Sequence, residues 1–142
     1  MVVAVDFDGT IVDNSHPSVG AIKPGVKAAL AALRAQGHII VIWSCRTNLV
    51  PYKQSEENHR KCIEDMFNAL VDNDIPFDYI DNGMQGKVAA DVYVDDRSLR
   101  FEGSWKDTYD SIQKISKVGM PTSEWVCPGG KFARTDSGED GS

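Results

Sequence analysis

Two stretches of the chain are apolar at nearly every position: Val2-Val3-Ala4-Val5 running into Asp6-Phe7, and Ile39-Ile40-Val41-Ile42-Trp43. Neither alternates with polar residues, and both are rich in β-branched side chains, the pattern of strands covered on both faces of a parallel sheet. Between them, residues 25–36 carry Ala and Leu at helical spacing. Pro24 stands where that helix would begin and Gly37 where it would stop. A second amphipathic period predicts a helix over residues 55–73, with Cys62, Met66, Phe67 and Leu70 as its buried stripe. Shorter apolar runs predict strands at 77–80 and 91–94, and a last helix is expected at about 105–118. Residues 11–22 read as turns, and residues 47–54, with Pro51, as a polar loop.

The resulting order, β-α-β-α-β-β-α, predicts an α/β fold: a three-layer Rossmann-like sandwich with a mostly parallel central sheet and helices on both faces. Residues 1–120 are expected to form this domain, with 121–142 a polar extension that is loose toward its end.

Composition narrows the class. A chain of 142 residues, 42% hydrophobic and 25% charged, suits one globular domain. No apolar run reaches the length of a membrane span, and no basic or long apolar segment precedes Asp6, so neither a membrane anchor nor a signal peptide is expected. Cys45, Cys62 and Cys127 are odd in number and lack zinc-site spacing, which fits a reducing cytoplasmic setting. A net charge of −6 weighs against tight non-specific nucleic-acid binding.

In open parallel sheets, ligands bind beyond the carboxyl ends of the strands. The first strand ends in Asp6-Phe7-Asp8-Gly9-Thr10, the second in Ser44-Cys45-Arg46, and the fourth in Asp95-Asp96, with Lys87 shortly before it. Paired carboxylates repel unless a cation or a proton joins them. Gly9 permits an unusual turn, and backbone amides beyond it can cup an anion. These groups together suit a hard-metal site, a carboxylate nucleophile and a phosphate cradle.

Asp6-Phe7-Asp8-Gly9-Thr10, then Ser44 after an apolar strand, then Lys87, then Val94-Asp95-Asp96, resembles the ordered motifs of the haloacid dehalogenase-like superfamily of phosphohydrolases. The stretches 43–46 and 90–96 further resemble its small bacterial and phage hydrolases. The resemblance implies a phosphatase that forms an aspartyl-phosphate on Asp6. Asp8 would be general acid and base, and Ser44, the neighbouring amide and Lys87 would hold the phosphoryl group. It implies Mg2+ bound by Asp6, Asp8 through its carbonyl, and the Asp95–Asp96 pair, with Asp96 direct and Asp95 through water. Gly9, Thr10, Ser44, Cys45, Arg46 and Lys87 would line the substrate. Arg46 has an equal second reading as a structural ion pair. Lys53 or Lys106 could replace Lys87, Asp91 is expected to brace its strand, and Trp43 to pack in the core.

The intervals from Asp8 to Ser44 and from Ser44 to Lys87 leave room for a helix or two but not for a cap domain. An uncapped site would admit a phosphorylated small molecule or a nucleic-acid end, so a nucleotide or polynucleotide-end phosphatase is one alternative. A receiver-like phospho-acceptor module is another, although its acidic pair would come first and its phosphorylated Asp later. A scaffold retained only for binding is the third.

Overall fold

The computed structural model describes residues 1–48 and 55–117. Pro51 and Lys53, most of the expected loop 47–54, Cys127 and the extension 121–142 lie outside the described residues. The chain divides into two compact units, residues 1–98 and 99–142.

The first unit holds a sheet of four parallel strands: β1 (Val2–Asp6), β2 (Ile39–Trp43), β3 (Tyr79–Ile80) and β4 (Val92–Val94). Their order across the sheet is β3-β2-β1-β4, so β1 is central and the chain crosses back over it to reach β4. This is the α/β, Rossmann-like architecture read from the sequence. β3 is two residues long and so shorter than the expected 77–80.

Side chains alternate along each strand. Val3, Val5, Ile40 and Ile42 enter one core, with Phe7, Ile11, Val12, Leu30, Met66, Leu70 and Ile75. Leu30 belongs to α1 (Val26–Ala35) and Met66 and Leu70 to α2 (Glu56–Asp72), so both crossover helices cover this face. Ala4 and Val41 face the other way and pack with Val88, bordered by Val2, Trp43 and Ala90. The segment after β3 therefore lies across this second face before it enters β4, so within this unit the described residues cover that face with this segment and not with the expected helix.

Local chemistry fixes the element ends. Ser55 caps α2 by accepting the Asn58 N–H at 3.1 Å, and Glu56 and Glu57 suit the positive end of the helix dipole. Asp91, expected to brace its own strand, accepts the Val2 N–H of β1 at 2.8 Å and so ties the start of β4 to its neighbour. Asp78 accepts from the Ile40 N–H at 2.7 Å and from Arg34 at 3.0 Å, tying α1 and the approach to β3 onto β2. One expectation for the α2 stripe fails. Phe67 is 48% exposed and meets Phe77 edge-on at 6.1 Å, because the burying arc of α2 is centred on Met66 and Leu70, with Phe67 at its margin.

In the second unit, α3 (Trp105–Lys117) starts at Ser104, whose hydroxyl accepts the Asp107 N–H at 3.2 Å. Among the described residues, no helix is long and apolar enough to cross a membrane.

Candidate functional site

The sheet register brings three strand ends together. Asp6 pairs with Trp43 of β2 on one side, and Val5 pairs with Val94 of β4 on the other. Ser44 is the next residue beyond the first pair and Asp95 the next beyond the second. The carboxylates of Asp6, Asp95 and Asp96 consequently lie within 4.8 Å of one another, and the three could hold a metal ion.

The electrostatics fit that reading. Burial, then the charges of Asp95 and Asp96 and a hydrogen bond with Asp96, push the Asp6 carboxyl from its ordinary 3.8 up to about 7. A cation among the three would relieve the same repulsion. With carboxylate oxygens as the only donors, the set suits a hard divalent ion rather than a soft one. Asp95 also accepts the Arg97 N–H at 2.8 Å, which fixes its orientation.

Gly9 is what lets Asp96 approach. Its φ is +84°, in the left-handed region, and a Cβ there would lie 2.3 Å from Asp96 Oδ2. Phe7 is fully buried between the two aspartates, and its carbonyl accepts the N–H groups of Ile11 and Val12 at 3.0 and 3.1 Å, turning the chain sharply after β1. The Thr10 hydroxyl reaches Asp6 Oδ2 at 3.4 Å.

After β2 the chain winds into a single 3-10 turn, Cys45–Thr47. Ser44 is buried and caps it, its Oγ accepting the Arg46 N–H at 3.0 Å. The Ser44 carbonyl accepts the Thr47 hydroxyl at 3.0 Å. Cys45 opens to solvent on one side; burial on the other, then the charges of Asp6 and Asp95, push its thiol upward.

Arg46 differs from its expected place as a substrate contact. The residue is 2% exposed, and its guanidinium grips Asp8 with a two-pronged fork, Nε to Oδ2 at 2.6 Å and Nη2 to Oδ1 at 2.7 Å. It also donates to the carbonyls of Pro17 at 3.0 Å and Ser18 at 2.6 Å, and lies 5.7 Å above the Phe7 ring. The structural reading of Arg46 is the one observed, because the buried turn aims the side chain back under the sheet end. Removing one partner of so buried a pair typically costs about 3–5 kcal/mol. Both Asp8 carboxylate oxygens thus accept from Arg46, and Asp8 is not one of the three clustered carboxylates.

Lys87 makes its contact with an aromatic ring. Its ammonium lies over the Tyr93 ring, 4.6 Å from the centroid, and among the described residues it makes no ion pair with Asp6, Asp95 or Asp96. Tyr93 in turn bonds through its hydroxyl to the Val88 carbonyl and meets Trp43 edge-on at 6.2 Å. Trp43 is only half-buried, with Nε1 enclosed and lacking a partner among the described residues. Tyr93 was not anticipated. The signal was present in strand alternation, which sets it on the same sheet face as Asp95, two residues on. Lys106, the possible substitute, pairs with Asp110 at 2.9 Å.

No protein-family model and no curated protein matches this chain. Among solved structures, it is similar to a conserved protein of Bacteroides thetaiotaomicron. The TM-score is 0.51 and the identity 24%, over 85% of this chain and 98% of that one. At that identity the likeness supports the α/β fold alone.

Proposed function

We propose that this protein is a magnesium-dependent phosphatase of the haloacid dehalogenase-like type, hydrolysing a phosphate monoester through an aspartyl-phosphate on Asp6. The observation that carries the reading is the meeting of the Asp6, Asp95 and Asp96 carboxylates at the carboxyl end of a parallel sheet, beside the Ser44-capped turn. The order of these motifs along the chain, which resembles that superfamily, supports it.

Asp6, Asp95 and Asp96 would hold the ion. Bound there, magnesium supplies positive charge that lets an anionic nucleophile approach an anionic phosphate. An Asp6 oxygen forms a bond to phosphorus while the ester P–O bond breaks. The departing electron pair stays on the leaving oxygen, which takes a proton from Asp8. Asp8 then removes a proton from water as that water attacks phosphorus, freeing the Asp6 carboxylate and inorganic phosphate. The Ser44 hydroxyl and the Cys45 amide hold phosphoryl oxygens. Lys87 would offset the gathered charge.

Between Asp8 and Ser44 the described residues form a short paired loop, α1 and β2. Between Ser44 and Lys87 they form the 3-10 turn, α2 and β3. A site with so little over it suits substrates that protrude, a phosphorylated small molecule or a nucleic-acid end. The test is a panel of phosphate esters, including nitrophenyl phosphate, nucleotides and end-phosphorylated oligonucleotides, assayed with magnesium and with excess chelator. Hydrolysis that needs the divalent ion supports the reading. Hydrolysis untouched by chelator, or none on any ester, contradicts it.

A further inference from the structure

We propose that Arg46 is a positioning residue for Asp8, setting the acid/base carboxylate and the Pro17–Ser18 loop as one piece. The inference rests on the phosphatase reading above and assigns a role within it that the motif order does not.

Arg46 is anchored at each end. Its amide is tied to the Ser44 hydroxyl at 3.0 Å, in the turn at the end of β2. Its side chain runs under the strand ends, over Phe7, and is 2% exposed. At the tip, one planar group bonds both Asp8 oxygens, at 2.6 and 2.7 Å, and the carbonyls of Pro17 and Ser18, at 3.0 and 2.6 Å. An arginine needed only to secure the loop would be served by the two carbonyls. The fork onto Asp8 does something more, since it fixes both the position of the carboxylate and the plane in which its remaining lone pairs lie.

Proton transfer depends on that placement, because a general acid must sit within hydrogen-bond reach of the leaving oxygen at the right moment. Lysine cannot reproduce it. An ammonium is a single point on a flexible stem and has no planar fork to match a carboxylate. The same grip gives the loop a hold on catalysis. Pro17 and Ser18, with Val19, wall a cavity of about 490 Å³ against Lys61, Asp65 and Asn68 of α2, so the wall of that cavity and the acid/base group share one guanidinium.

This placement predicts a dependence on leaving group that loss of fold alone would not produce. Alkyl phosphates need the proton from Asp8, whereas nitrophenyl phosphate departs with little help. Turnover of both is measured in Arg46→Lys, Arg46→Met, Asp8→Asn and the Arg46→Lys/Asp8→Asn pair, with thermal melts to establish folding. Arg46→Lys should lower kcat on alkyl phosphates roughly 100-fold, with a much smaller loss on nitrophenyl phosphate. In the Asp8→Asn background it should add almost nothing.

Equal fractional losses on both esters, or losses that add to those of Asp8→Asn, would overturn the assignment. If both Arg46 variants fail to fold, Pro17→Gly, which loosens the loop that Arg46 grips, should show the same preference for good leaving groups. An even loss there would overturn it instead. An intact protein that hydrolyses no phosphate ester overturns the phosphatase reading and this inference together, whereas an active one with leaving-group-independent losses overturns only the inference.

Discussion

Replacing Asp6 with Asn should stabilise the metal-free protein at alkaline pH, although it removes the residue proposed as the nucleophile. Burial and the Asp95 and Asp96 charges raise the Asp6 carboxyl to about 7 in the folded chain, against 3.8 when ordinary. Below about pH 3.8 the group is protonated in both states and costs nothing. As pH rises, the unfolded chain loses its proton first, while the folded protein keeps its own until about 7. Stability therefore falls through this window, and above it the whole penalty is present. At about 1.4 kcal/mol per pH unit the displacement corresponds to a ceiling of about 4 kcal/mol. Asp6 is only half-buried and Asp96 is exposed, so water screens the cluster and roughly half that ceiling, ~2 kcal/mol, is expected. The assay is urea unfolding in chelator from pH 4 to pH 8, wild type against Asp6→Asn, with midpoints converted by linear extrapolation. The variant should gain ~2 kcal/mol on the wild type across that range. Magnesium at one hundred times its Kd should then return about 2.7 kcal/mol to the wild type and far less to the variant. A stability difference that does not change with pH would refute the clustered-carboxylate argument.

Gly9→Ala sets a Cβ 2.3 Å from Asp96 Oδ2 at a φ of +84°, so calorimetry should show divalent-ion binding weakened by roughly tenfold or more, a cost of about 1.4 kcal/mol. Unaltered affinity would remove Asp96 from the ion's surroundings. In α2, Leu70→Ala should cost about 2–5 kcal/mol of stability through the cavity it leaves, while Phe67→Ala should cost about 1 kcal/mol or less. Chemical denaturation distinguishes the two, and similar costs would contradict the burial of Leu70 and the 48% exposure of Phe67.

The parts of this fold that were legible in sequence are those set by local pattern. The unbroken runs at 2–5 and 39–43 identify the two central strands because both of their faces are covered. A parallel sheet then delivers whatever follows each strand to one edge, so Asp6, Ser44 and Asp95 could be placed together before any geometry was known. The misplacement of Phe67 has a different origin. A helical period defines an arc but not its centre, and only the packing of Met66 and Leu70 beneath β1 and β2 centres it. Arg46 was ambiguous for a further reason, since its carboxylate partner is 38 residues away and nothing local distinguishes that partner from a phosphate. A hint lay in the surplus of acid: with Asp6, Asp95 and Asp96 enough for a cation, Asp8 was the carboxylate needing a cationic neighbour. Lys87 shows the remaining limit, because position before β4 sets where the backbone runs but not that its ammonium rests on Tyr93.

Capture of the covalent intermediate tests the central claim most directly. Protein mixed with magnesium and an active phosphate ester, quenched in acid and digested, is examined by mass spectrometry for a phosphoryl group on the peptide that contains Asp6. Wild type should carry it at Asp6, and Asp8→Asn should accumulate more of it, since breakdown of the intermediate needs Asp8 to activate water. Asp6→Asn should carry none. Hydrolysis that proceeds with no phosphoryl group on Asp6 in either wild type or Asp8→Asn, or that persists in Asp6→Asn, would contradict the account.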